Sequence, residues 1–224
     1  MLINADFNKR VVVHAARAAW TPSPVPGVER KMLDRVGGEV ARATSIVRYA
    51  PGSSFPAHTH DGGEEFLVLD GVFQDEFGDY PSKSYIRNPP ASRHAPRFEL
   101  GCVIFVKLHQ FEFSDRTQIR MAANQLVAVA QAGHDDASVI PLYDNGLESV
   151  RIEQWGAGMA VCLRALYGLE ALVLEGSFDE GGSTLIRHSW LRLPVGSTFE
   201  AIADDGGAKV WIKAGHLANV RLPR

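Results

Sequence analysis

Two histidines one residue apart and a carboxylate four residues on lie in the run Gly52-Ser-Ser-Phe-Pro-Ala-His58-Thr-His60-Asp-Gly-Gly-Glu64-Glu-Phe-Leu-Val-Leu-Asp-Gly71. Side chains alternate along a strand, so His58 and His60 point the same way. Asp61-Gly62-Gly63 signals a turn, and Phe66-Leu67-Val68-Leu69 reads as the returning strand. A hairpin of this kind gathers two imidazoles and the Glu64 carboxylate on one sheet face. Such nitrogen and oxygen donors suit Zn, Fe, Mn, Ni or Co. His94, which closes Asn88-Pro-Pro-Ala-Ser-Arg-His94, is a fourth candidate. The chemistry indicated is metal binding, before any statement of what the metal does.

The elements that position these residues occur twice. Phe66-Leu-Val-Leu-Asp-Gly71-Val-Phe and Ala171-Leu-Val-Leu-Glu-Gly176-Ser-Phe match, and Gly71 and Gly176 are 105 positions apart. Pro89-Pro-Ala91 and Pro194-Val-Gly196 share that offset, and Gly52 and Gly158 are 106 apart. A near-constant offset close to half the length predicts two homologous halves, residues 1–117 and 118–224. Runs such as Ala43–Tyr49, Phe66–Leu69, Cys102–Leu108 and Val150–Trp155 are rich in β-branched and aromatic residues, with turn residues between them. The fold expected is all-β, as two small barrels or sandwiches. The best helical exception is Val12–Trp20, which has an Ala-rich turn or two but no sustained apolar stripe.

Composition removes several classes. The 224 residues are 46% hydrophobic and 22% charged with net charge −3, ordinary for a globular chain. Without a basic cluster there is no footprint for nucleic acid. No apolar run reaches a membrane span, and the first residues lack the order of a signal peptide, so a cytoplasmic location is the default. Cys102 and Cys162 lie in apolar runs and read as two buried, reduced thiols. His109, on an alternating strand, is the outside candidate for a pocket role. His14, His134, His188 and His216 fit no ligand spacing. Tyr80, Tyr85 and Lys107 could reach a pocket, depending on which face they line.

His-x-His, three residues, Glu, six residues, Gly, with Gly52 leading, resembles the first cupin motif in full. Pro89-x-Ala91-x-x-His94 resembles the second, with Ala where the motif has Gly. The resemblance covers both halves, so the chain resembles a bicupin. The wording Gly-Gly-Glu-Glu-Phe-Leu-Val-Leu-x-Gly-x-Phe is similar to the cupin domain of ChrR, a zinc-binding anti-sigma factor.

The resemblance implies two tandem cupin barrels, jelly-roll-like double-stranded β-helices, with one divalent metal in the first. It implies His58, His60, Glu64 and His94 as ligands and zinc as the expected ion, with Fe, Mn or Ni as alternatives. The six-residue gap to Gly71 selects Glu64 over Glu65, and alternation sends Glu65 to the opposite face as a surface or interface residue. Counting from Gly158 and Pro194 places Arg164, Leu166 and Phe199 at the three histidine positions of the second half. Leu169 falls opposite Glu64 and Glu170 opposite Glu65. The second half is thus expected to be a degenerate, metal-free barrel.

Two functions follow from different classes. One is a sensory or regulatory module of the anti-sigma kind. The other is a metal-dependent cupin dioxygenase or oxidoreductase acting on a small carbonyl or phenolic compound. A metal serving stability alone is a third. The cupin pattern begins early and no cysteine precedes Cys102. The expectation is therefore that the amino-terminal zinc domain that grips sigma factors is missing and that this chain alone does not bind one. The partners left are a small-molecule ligand or substrate and a second copy of the chain as a homodimer.

Overall fold

The computed structural model describes residues 1–131 and 134–222. The side chains at 134 and 135 fall outside it, and so does the expectation for His134. The chain is all-β. Among the described residues the only helical elements are the 3-10 turns Ala15–Arg17 and Ala123–Gln125. Val12–Trp20 holds one of them, the Ala-rich turn Ala15–Arg17, after the strand Val11–His14, where three consecutive valines favour extended backbone. No helix is long and apolar enough to cross a membrane.

Two compact units emerge. Of the described residues, the first comprises Met1–Ala5, Ala19–Gln125 and residues 221–222, and the second Asp6–Ala18 and Leu126–Val220. In the first unit a sheet runs Leu2–Ile3, Val28–Gly37, Ala41–Tyr49, Cys102–Leu108, Glu64–Asp75, Tyr85–Asn88, Ile119–Met121 in hydrogen-bonded order. A separate ribbon pairs His58–His60 with Ser92–His94. In the second unit the order is Val129–Gln131, His134–Asp144, Ser149–Trp155, Ser197–Ala214, Leu169–Glu180, Ser189–Leu193, Val11–His14.

The repeat read in the sequence is a repeat of structure. Glu64–Asp75 and Leu169–Glu180 begin and end 105 positions apart. Each carries a left-handed glycine at the same place, Gly71 at φ 72° and Gly176 at φ 68°. A side chain there would also strike the carbonyl oxygen of Gly101 or Gly207, so glycine is required twice over. Phe66, Phe73, Phe98, Ile104 and Val106 build the core of the first unit. Trp155, Phe178, Phe199, Leu193 and Ile212 belong to that of the second.

Glu65 departs from its expected place. Alternation does put it on the face opposite Glu64, but it is 1% exposed rather than on the surface. Tyr85 Oη donates to Glu65 Oε1 at 2.6 Å, and the register neighbours Arg87 and Lys107 are buried beside it. Arg87 pairs with Asp115 at 2.6 Å, and Lys107 Nζ donates to Thr44 Oγ1 at 2.9 Å. The second unit repeats this arrangement with Glu170 between Arg192 and Lys213. There Trp190 Nε1 donates to Glu170 Oε2 at 3.1 Å, and His216 Nε2 lies 2.8 Å from Glu170 Oε1. His216 is thus a buried partner of a carboxylate. Charges buried at this depth persist only when matched, and alternation alone does not reveal that this face is closed off. Tyr85 and Lys107 belong to it and point away from the histidines.

The cysteines also divide. Cys102 is buried, and burial together with the Asp70 charge pushes its thiol up to about 12. Cys162 is exposed, against expectation, because it follows the buried Val161 on an alternating strand.

Candidate metal centre

The ribbon register sets His58 directly across from His94, and His60 across from Ser92. The turn between His60 and Glu64 closes only because of its glycines. Gly63 has φ 77°, and a side chain at Gly62 or Gly63 would meet the ring of His109 or Phe111. Ala91 sits at φ 71°, a left-handed position where the motif has glycine. Its N–H donates to the His60 carbonyl at 3.0 Å, tying the two ligand-bearing segments together.

His58, His60 and His94 form one cluster, each offering a ring nitrogen within 4.8 Å of the others. His60 Nε2 and His94 Nε2 are 3.0 Å apart, and Glu64 Oε2 lies 3.4 Å from the first and 3.6 Å from the second. Two nitrogens bound to one ion at about 2.0–2.1 Å stand roughly 2.9–3.4 Å apart, for angles between right and tetrahedral. The observed spacing falls in that range. Without an ion a proton on one Nε2 makes this contact a hydrogen bond, and with both lone pairs free the same spacing accommodates a cation between them. The donor set therefore fits a divalent metal.

The surrounding residues aim these nitrogens. His58 Nδ1 lies 3.1 Å from the Pro56 carbonyl, an acceptor, so Nδ1 holds the proton and Nε2 keeps its lone pair. Asp75 Oδ2 lies 3.4 Å from His94 Nδ1 and does the same for His94. Asp75 is itself fixed, since its Oδ1 accepts from the N–H groups of Phe77 at 2.8 Å and Gly78 at 3.2 Å. Asn88 Nδ2 donates to Glu64 Oε2 at 3.1 Å. Burial opposes a charge on Asp75, but the hydrogen bonds from His94 and Phe77 outweigh it and lower its pKa. Burial likewise opposes a proton on His94, while Asp75 and Glu64 outweigh it and raise the pKa. Burial lowers that of His60 despite Glu64.

The cluster opens onto a cavity of about 180 Å³ inside the first unit. His58, Glu64 and His94 form one part of its wall, and Tyr49, Phe55, Phe73 and Val106 form much of the rest. Tyr49 stacks on Phe98 at 3.9 Å, and Phe73 lies under the His94 ring at 5.6 Å. Burial, reinforced by the Glu64 charge, raises the Tyr49 phenol far above its ordinary value, so it stays protonated.

All four residues singled out as ligands lie together here. His109 stays outside the three-histidine group: half-buried, it packs its ring beneath the turn at Gly62. Tyr80 belongs to the apolar core. Sequence reasoning missed Asp75, Asn88 and Tyr49. Asn88 opens the Pro-Pro turn and could have been weighed, whereas Asp75 ends a strand and carries no sequence signal.

One correspondence in the second unit is corrected. Ser92 and His94 pair with His60 and His58, while Ser197 and Phe199 pair with Ala165 and Leu163. Leu163 and Ala165 therefore occupy the histidine positions, and Arg164 and Leu166 face outward and are exposed. The missing residue lies between Gly158 and the strand, not in the turn before Leu169 as the count assumed. Leu163, Ala165, Leu169 and Phe199 pack in one apolar cluster. Trp155 and Phe178, 5.2 Å apart, sit where the first unit has Tyr49 and Phe73.

Comparison with known proteins gives the fold a name. The chain is similar to a proposed dioxygenase from Nostoc punctiforme, with TM-score 0.76 and 14% identity over 96% of this chain and 86% of that one. It is similar to Ylba from Escherichia coli, with TM-score 0.70 and 12% identity over 96% and 94%. It is also similar to the nickel(II) complex of the bacterial pirin YhhW from Escherichia coli, with TM-score 0.64 and 12% identity over 92% and 98%. At such identities the likeness speaks for the fold alone. No curated protein matches the chain. Residues 8–112 match the ChrR Cupin-like domain family. The fold is that of the cupins, in two tandem all-β barrels.

Proposed function

We propose that the first barrel holds one divalent metal ion through His58, His60, Glu64 and His94, and acts as a metal-dependent oxidoreductase of the dioxygenase type on a small carbonyl or phenolic compound. The observation that carries this reading is the opening of the histidine cluster onto an apolar cavity. A metal that serves stability alone is closed off by protein ligands, whereas a reactive one keeps room beside it. When bound, the ion supplies Lewis-acid activation and, if it is iron, electrons for dioxygen chemistry. The chain's own residues do the rest. Phe55, Phe73 and Val106 keep the cavity poor in water, which strengthens every polar contact within it. Asp75 and Pro56 hold the imidazole tautomers, and Asn88 holds the Glu64 carboxylate. Tyr49 presents a protonated hydroxyl to whatever enters.

The likeness to a proposed dioxygenase and to a nickel-bound pirin supports the choice of chemistry by analogy of fold. The match of residues 8–112 to the ChrR Cupin-like domain favours a second reading, a zinc-bound sensory module that works through another protein. One experiment separates them. The apo-protein is loaded in turn with Fe(II), Mn(II), Ni(II) and Zn(II), and dioxygen uptake is followed with small diketones and phenols. Uptake that needs a redox-active ion and is lost in His60→Ala is expected. Silence across the panel, with nanomolar capture of a sigma factor by the zinc form, selects the second reading.

A further inference from the structure

Two polar groups in the cavity wall have no hydrogen-bond or ion-pair partner among the described residues. Arg30 lines the cavity from the strand Val28–Gly37, and its half-buried guanidinium makes no hydrogen bond or ion pair among the described residues. Tyr49 lines it from the neighbouring strand, and its hydroxyl likewise has no hydrogen-bond partner there. The register pairs Val28 with Tyr49 and Arg30 with Val47, so by alternation all four share one face of the sheet. Arg30 stands at a junction. With Ser23 and Val25 it also lines an outer cavity of about 690 Å³.

The second unit serves as an internal comparison. Its strand register places Val139 where the first unit has Arg30, and Trp155 where it has Tyr49. The unit without the histidines and glutamate thus also lacks both unpartnered groups. Cation, phenol and metal donors occur together or not at all, as expected if they serve one ligand.

Resting on the proposed metal site, we infer that Arg30 and Tyr49 form its recognition end, and that its substrate is a small apolar molecule carrying a carboxylate. One guanidinium fork matches one carboxylate, charge for charge and two hydrogen bonds to two oxygens. A phosphate monoester brings a second negative charge, but the neighbouring cation, Arg35, lines only the outer cavity, and in the inner one Glu64 stands on the same wall as Arg30. The remaining wall is aromatic and aliphatic, which suits an apolar body. The inner volume is well below the ~300–1,000 Å³ of drug-sized sites, so that body is small. A site with unpaired polar groups discriminates strongly against an analogue that cannot pair with them.

The test uses the full-length, metal-loaded protein. Calorimetric titration measures Kd for benzoate, phenylacetate and butyrate, each against its neutral amide, and for phenyl phosphate. Metal content is determined in every sample. At least one carboxylate is expected to bind about 10-fold or more tightly than its amide, and more tightly than phenyl phosphate. Arg30→Gln should remove most of that preference, Arg30→Lys should restore part of it, and Tyr49→Phe should weaken the carboxylate while leaving the ion bound. A preference that survives Arg30→Gln would put the carboxylate on the metal instead and overturns the inference. So does the absence of any preference, or a preference for phenyl phosphate. The two proposals fail separately. Arg30-dependent preference in a protein that holds no ion sinks the metal centre and keeps the anchor, while an ion held without such preference does the reverse.

Discussion

His94→Ala should reduce divalent-metal affinity well beyond the ~10–100-fold that loss of an outer-shell partner brings, whereas Asp75→Asn should fall within that range. The first removes a donor that sits 3.0 Å from His60 Nε2 and leaves a hole beside Glu64. The second keeps the donor but weakens its hold. Asp75 is 2% exposed and anchored by two backbone N–H groups, so an amide can occupy the same space while no longer offering a charged acceptor to His94 Nδ1. Competition against a chromophoric chelator gives both affinities on one scale. Equal losses would mean that His94 acts from outside the metal's ligand set.

Glu65→Ala should destabilise the protein by about 3–5 kcal/mol while leaving the ion in the folded fraction. The carboxylate lies between Arg87 and Lys107, all three about 1% exposed, and accepts from Tyr85. Removing it leaves Arg87, which keeps Asp115, and Lys107 with one buried counter-charge fewer, and takes the acceptor from a buried hydroxyl. For a chain of this size that corresponds to a fall in Tm on the order of 10 °C. Glu65→Gln, which still accepts from Tyr85, should lose less. Denaturant unfolding gives the free energy, and metal content per folded chain gives the control. Loss of the ion with stability intact would mean that the hairpin is out of register by one residue, with Glu65 rather than Glu64 facing the histidines.

How much of this was legible in the sequence follows from what each signal depends on. His58, His60 and Glu64 could be placed because strand alternation and a glycine turn are local, and His94 because a proline turn precedes it at a fixed distance. The repeat revealed the tandem architecture because Gly71 and Gly176 each meet the same steric demand. Arg164 and Leu166 were matched to the histidines because the count ran through a loop, where one residue fewer changes the parity of every position after it. Pairing across the barrel, Leu163 with Phe199 and Ala165 with Ser197, restores the parity. Glu65, His216 and Asp75 were out of reach for another reason. The partners that matter, Tyr85 for Glu65, Glu170 for His216 and His94 for Asp75, lie 20, 46 and 19 positions away, and no periodicity records that.

The central claim is a single metal ion in the first barrel, held by His58, His60, Glu64 and His94. Its most direct measurement is metal stoichiometry by inductively coupled plasma mass spectrometry on protein expressed with added Zn, Fe, Mn and Ni, combined with anomalous diffraction to locate the ion. The account predicts one ion per chain, about 2.0–2.2 Å from those four side chains. No ion, two ions per chain, or an ion placed beside Leu163, Ala165 and Phe199 would contradict it.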